Sequence, residues 1–134
     1  MGSFGNYLEL EILDHIFGAA AYSAPATLHV GLSTADPTDD ASGIAEPVGG
    51  SYARVAVTNN ATNFPAAVGG AKANGTAITF PTATGSWGVC THFFISDDPS
   101  AGNMLAHGTL TASKTIDSGD TASFAIGDLD ITLD

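Results

Sequence analysis

The 134-residue sequence contains one cysteine, Cys90, and three fixed cations, Arg54, Lys72 and Lys114. A single thiol excludes an intrachain disulfide and a zinc cluster built from thiolates. In the apolar stretch VCTHFFIS, Cys90 reads as a small buried hydrophobe. Three cations against 14 acids leave a net charge of −11. No basic face can be assembled from them to neutralise phosphates, which excludes nucleic acid as a partner and works against anionic lipid. No apolar run reaches membrane-spanning length, and no basic stretch followed by an apolar one opens the chain. Neither a membrane span nor a secretory signal is expected. Also missing are a G-x-S-x-G elbow, a thiol-protease signature around Cys90 and a Gly-rich turn between a strand and a helix. The expectation is therefore no catalytic residue, no cofactor and no metal site.

Charged residues make up 13% of the chain, about half the usual share. Mean hydropathy is +0.19. Ala, Gly and Thr stand where a soluble monomer would carry Lys and Glu. Of the two readings, an acidic surface of small residues or a surface covered by neighbours, the second fits few charges with positive hydropathy better.

The opening segment reads as one short helix. Asn6 is the candidate N-cap, with Glu9 at capping-box spacing. Leu8, Ile12 and Ile16 recur at helical spacing, while Leu10, Leu13 and Phe17 widen the apolar face. Glu11, Asp14 and His15 lie opposite, and Gly18 is a plausible stop. A helix this short does not hold alone in water and must dock on its own domain or on a neighbouring subunit. Leu8, Ile12, Ile16 and Phe17, with Trp87, are the candidate oligomer or partner contacts.

After Pro25 the pattern turns to strands: Thr27–Ser33, Ser51–Val57, Thr76–Phe80, a doubly buried Val89–Ser96, Met104–Leu110 and a weak Lys114–Asp117. In the last segment, Thr121–Leu133, the apolar face slips by one residue at Gly127-Asp128. It is read as one bulged strand or two short ones. Asp36–Gly50 and Asn59–Asn74 are the long loops. The fold class expected is mainly β, an antiparallel β-sandwich with a short N-terminal helix. It forms a single domain over 1–134, with a helical segment at 1–20 and the sandwich at 26–134.

Three features could carry chemistry. Asp36, Asp39 and Asp40 could offer oxygen to calcium, but they lack EF-hand spacing and fit turn chemistry around Pro37 and Gly43, so they read as an exposed loop. His29, His92 and His107 sit in strands and could converge on one metal, yet no short i, i+2 step places two on one strand face. Asp97-Asp98-Pro99 reads as a turn. Trp87, between Gly85 and Gly88, is either a platform for a sugar ring or a packing anchor, packing being favoured.

The segments YLELEILDHIFG, PATLHVGLSTADPTD, YARVAV, ITFPTATGSWG, THFFIS, SGDTASF and LDITLD, in this order, give a pattern running through nearly the whole chain. It resembles small tail-fibre-like structural proteins of tailed bacteriophages. The resemblance implies a virion component without enzymatic activity, in a symmetric assembly with itself and with other capsid or tail proteins. Trimers would follow by analogy with surface modules on icosahedral shells. Its place would be capsid decoration or a tail, collar or fibre element. The alternative is a host-receptor or carbohydrate-binding module at a fibre tip, using Trp87, Tyr52 and the acid-rich loops.

Overall fold

The computed structural model describes residues 1–133. It is mainly β with one helix. In chain order the elements are β1 (Gly2–Phe4), α1 (Asn6–Phe17), β2 (Thr27–Ser33), β3 (Val55–Thr58), β4 (Ala71–Ala73), β5 (Ile78–Thr79), β6 (Gly88–Ser96), β7 (Met104–Ile116), β8 (Ser123–Phe124) and β9 (Asp130–Thr132). Seven strands form one sheet in the order β3-β2-β6-β7-β1-β9-β4, and β5 pairs with β8 separately.

The centre of the sheet is the β6–β7 hairpin with β2 against it. Val30 and Leu32 of β2 and Phe93 and Ile95 of β6 point to one face. There they meet Ile78, Phe80, Trp87, Ile116 and Leu129 in the core. Phe94 points to the opposite face and is also fully buried, so the double burial expected over Val89–Ser96 is present at Phe93–Ser96, whereas Val89 is exposed and Thr91 and His92 are half-buried. Its neighbour on β2 is Gly31, and a Cβ there would lie 2.3 Å from the Phe94 ring. Each large ring buried this way contributes roughly 1.5–3 kcal/mol.

The pairing of β6 with β7 slips by one residue between Ile95 and Ser96, next to the turn, and is broken more widely in the middle. His92 faces Thr109 and Cys90 faces Lys114, so Thr91 alone stands opposite Leu110–Ser113. This wide bulge joins the two segments that the sequence pattern separates, Met104–Leu110 and Lys114–Asp117, into one strand.

Two short strands differ from expectation. β1 lies inside the sheet, antiparallel to β7 and parallel to β9. Residues 1–20 are thus not a helical segment set apart from the strands. β4 falls within the expected loop Asn59–Asn74, where Val68 and Ala71 close a tight turn. Thr121–Leu133 resolves into β8 and β9, which belong to different sheets. Gly127 makes the turn between them at φ 84°.

β1 fits because two glycines meet. Gly2 lies opposite Gly108. A Cβ on Gly108 would lie 2.4 Å from the Met1 carbonyl oxygen and 2.7 Å from Gly2 Cα, both backbone atoms that cannot swing away. Gly108→Ala is expected to lower stability by about 1–3 kcal/mol in urea melts through overpacking. Thr109→Ala, its exposed neighbour, should stay within about 0.5 kcal/mol of the native chain.

Candidate functional site

The helix is where the sequence placed it, but it starts differently. Gly5, not Asn6, is the N-cap residue, and no side chain caps the first turn. Backbone does the work: Gly5 N–H donates to Leu105 O at 2.9 Å and Asn6 N–H to Asp39 O at 2.8 Å. The start of α1 is thereby fastened to β7 and to the aspartate loop. Its end is closed by Gly18 N–H on Asp14 O at 2.9 Å, with Gly18 at φ −138° rather than in the left-handed region.

No residue of α1 is buried. Tyr7, Leu8, Glu11 and Ile12 are half-buried and form its inner side. At 100° per residue, Leu10, Leu13 and Phe17 share a line on the outer side, the i, i+3, i+7 spacing of a packing seam. Their exposures are 64%, 54% and 82%, and that of Ile16 is 62%. A soluble helix normally turns charge outward. Here four large apolar side chains face water, and burying them would yield on the order of 5 kcal/mol. Of the expected contacts, Ile16 and Phe17 lie on this outer surface. Leu8 and Ile12 turn toward the domain.

Trp87 is elsewhere. It is 3% exposed, in a ring cluster with Tyr52 at 5.2 Å and Phe80 at 6.3 Å. Its indole N–H donates to Gly50 O at 2.8 Å. The expectation of Trp87 as a surface contact is corrected: both its ring and its polar atom are used inside the monomer. Cys90 is fully buried, and burial pushes its thiol pKa up, so it is not placed to cross-link neighbours.

The aspartate loop is a set of turns with exposed carboxylates. Asp36 Oδ1 accepts from Thr38 N–H at 3.0 Å. Asp40 Oδ1 accepts from the Thr38 hydroxyl at 2.7 Å and from Ser42 N–H at 3.0 Å. Those bonds, the Thr38 hydroxyl first and Ser42 second, hold its carboxyl down at about 2. Asp39 reaches away from the loop, accepting from His107 Nε2 of β7 at 2.9 Å. Two of the three strand histidines do converge: His92 Nε2 and His107 Nδ1 lie 4.0 and 3.9 Å from Asp36 Oδ1. His29 is not among them. No set of three His, Cys, Asp or Glu side chains has metal-holding geometry among the described residues.

Sequence reasoning missed the role of Arg54. Its Nε and Nη2 bond the two carboxylate oxygens of Glu46 at 3.0 and 2.8 Å. Its Nη1 donates to Ser96 Oγ, Asp98 O and Ala101 O at 3.0, 2.8 and 2.9 Å, and its guanidinium lies 4.9 Å over the Phe94 ring. Glu46 also accepts from the Tyr52 hydroxyl at 2.8 Å. Burial, reinforced by that carboxylate, raises the Tyr52 pKa far above its ordinary value. One side chain thus ties together the loop before β3 and the turn between β6 and β7. The available signal was the scarcity of cations: a lone arginine in an alternating strand segment has a specific carboxylate to find.

The architecture is β-rich, with an apolar side of its one helix turned outward, and comparison with known families supplies the class of protein. Residues 3–132 match the family model described as podophage GP4 fiber I protein gp80. The chain belongs to that family, a phage fibre type, which makes it a virion component. No curated protein matches the chain.

Two measurements check the loop and the hub. NMR titration should place the Asp40 carboxyl midpoint near 2, and Thr38→Ala should move it toward 3.8. Because the folded value is depressed, the stabilisation is complete above the unfolded value of 3.8 and is lost as pH falls toward 2. Arg54→Met should cost about 3 kcal/mol in denaturant melts, since it leaves the Glu46 carboxylate half-buried and unpaired.

Proposed function

We propose that the chain is a non-catalytic building block of a phage fibre that assembles with copies of itself through α1, with its outer apolar line covered by a neighbour. The observation that carries this reading is the exposure of Leu10, Leu13, Ile16 and Phe17 on a helix with no buried residue. Family membership supports the fibre setting. Low charge supports coverage, because only 13% of residues carry charge to keep the monomer surface in water.

A fibre element is favoured over capsid decoration on the family match alone. Other tail proteins are the natural partners at the ends of such an assembly. The reading as a glycan-binding tip loses its proposed platform, because Trp87 is in the core and the Tyr52 hydroxyl is engaged with Glu46. The acid-rich loop supports assembly indirectly, since the Asp39 carbonyl holds the first turn of the helix.

The test is a change of charge on the outer helix line. The native chain should sediment as an oligomer at micromolar concentration. Leu13→Glu with Phe17→Glu should sediment as a monomer with its melting temperature nearly unchanged, because neither side chain is buried in the single subunit. A native chain that remains monomeric at high concentration would contradict the reading.

A further inference from the structure

We propose that Asp36, His92 and His107 bind one divalent transition-metal ion of the zinc class, in a pocket beside β1 and β7. The site is separate from the outer side of α1 and does not depend on how copies assemble.

Three elements bring the side chains together. His92 of β6 lies opposite Ser33, the last residue of β2, and opposite Thr109 of β7. His107 stands two residues before Thr109. The two histidines are therefore diagonal neighbours on one face of the sheet, within reach of each other's rings. Spacing within either strand does not show this, because the pair is made across strands. Asp36 follows β2 by three residues, and its Oδ1 lies 4.0 Å from His92 Nε2 and 3.9 Å from His107 Nδ1. The pocket is about 300 Å³, with the hydroxyl-bearing Ser3, Thr109 and Thr132 also on its walls.

The outer nitrogen of each ring is already held, and that decides what the inner nitrogen can do. The Asp39 carboxylate only accepts, so His107 Nε2 donates to it at 2.9 Å. In the neutral ring the lone pair then sits on Nδ1, the atom nearer Asp36. His92 Nδ1 lies 2.8 Å from the Thr91 hydroxyl, which can accept from it and leave the lone pair on Nε2. Ligand histidines ordinarily donate their other N–H in this way, which fixes the tautomer and makes the ligating nitrogen more basic.

The three donors stand slightly too far apart for an ion as they are. Two ligands at zinc bond lengths in a tetrahedron are roughly 3.3–3.4 Å apart. The longer separations here are why no trio among the described residues has metal-holding geometry. The member that moves is Asp36, whose side chain is 63% exposed against 16% for His92 and 12% for His107. A shift of about half an ångström closes the set. Asp36 Oδ1 accepts from Thr38 N–H, and the second carboxylate oxygen can keep that bond.

Charge and donor type select the ion. Among the described residues, none of Arg54, Lys72 and Lys114 lines the pocket, and the Met1 ammonium that does is paired with Asp130 at 3.2 Å. Two imidazoles and one carboxylate suit zinc, copper or nickel; calcium and magnesium want a shell of oxygen. Water from the pocket completes a fourth position. An ion held there ties β6 and β7 to the loop whose Asp39 carbonyl accepts from Asn6 N–H at the start of α1.

The experiment is isothermal titration calorimetry of the untagged chain with zinc chloride near neutral pH, with circular dichroism to confirm that each variant is folded. The native chain should take one zinc per chain, and zinc should raise its melting temperature. Calcium and magnesium should do neither. His92→Ala and Asp36→Asn should each weaken binding at least about tenfold, and Asp39→Asn about tenfold by releasing the His107 ring. His15→Ala, on the exposed side of α1, should leave affinity unchanged. Cobalt(II) serves as a spectroscopic probe, with the visible band of a four-coordinate site in the native chain and its loss in His92→Ala. No zinc binding by the native chain overturns the site. So does half an ion per chain, which places the ligands on two copies, or an unchanged affinity in either His92→Ala or Asp36→Asn.

Discussion

Everything distinctive about this molecule follows from the insertion of Gly2–Phe4 between β7 and β9. Strands β9 and β4 reach the rest of the sheet through this one short strand. Its passage requires the backbone contact of Gly2 with Gly108, which no side chain larger than hydrogen permits. Because the chain enters the sheet first and turns helical immediately afterwards, α1 leaves from the edge of the hairpin instead of lying across the core. The helix is held by two backbone hydrogen bonds at its start and by half-buried Leu8 and Ile12 along its inner side. Its remaining apolar surface has no place to go within one subunit.

The charge distribution reinforces this. Of the three fixed cations, Arg54 is held in a bidentate pair with Glu46 and three further hydrogen bonds. A buried pair of this kind adds little net stability over apolar packing, but its geometry orders the loops around it. Elsewhere the loops are held by carboxylates accepting from nearby backbone amides, as Asp36, Asp40, Asp97 and Asp98 do. Such turns need no basic partner. The result is an exterior with few charges and several exposed apolar groups, suited to being covered in an assembly.

Much of this was legible in the sequence because it is local. The span of the helix, the alternation in Thr27–Ser33, the burial of Phe93–Ser96 on both faces and the slip at Gly127-Asp128 are each set by neighbouring residues. The turn chemistry of the aspartate loop belongs to the same group. What could not be read is set by distant pairing. Gly2–Phe4 is too short to show a period, and its strand character comes from β7 more than 100 positions away. The helix N-cap moved to Gly5 because backbone from Leu105 and Asp39 supplied the partners that Asn6 was expected to provide. For Trp87, between two glycines, packing was favoured over an exposed platform, but the sequence did not say whether it would pack inside the subunit or at a partner contact. Its burial depends on Tyr52, Phe80 and the Gly50 carbonyl, which come from separate loops. For the helix, apolar spacing showed the residues but not which side would meet the sheet.

The most direct measurement is a cryo-EM map of the intact virion at side-chain resolution. Leu10, Leu13 and Phe17 of each copy should lie within van der Waals distance of a neighbouring subunit. A fibre in which those side chains face solvent on every copy would contradict assembly through the helix.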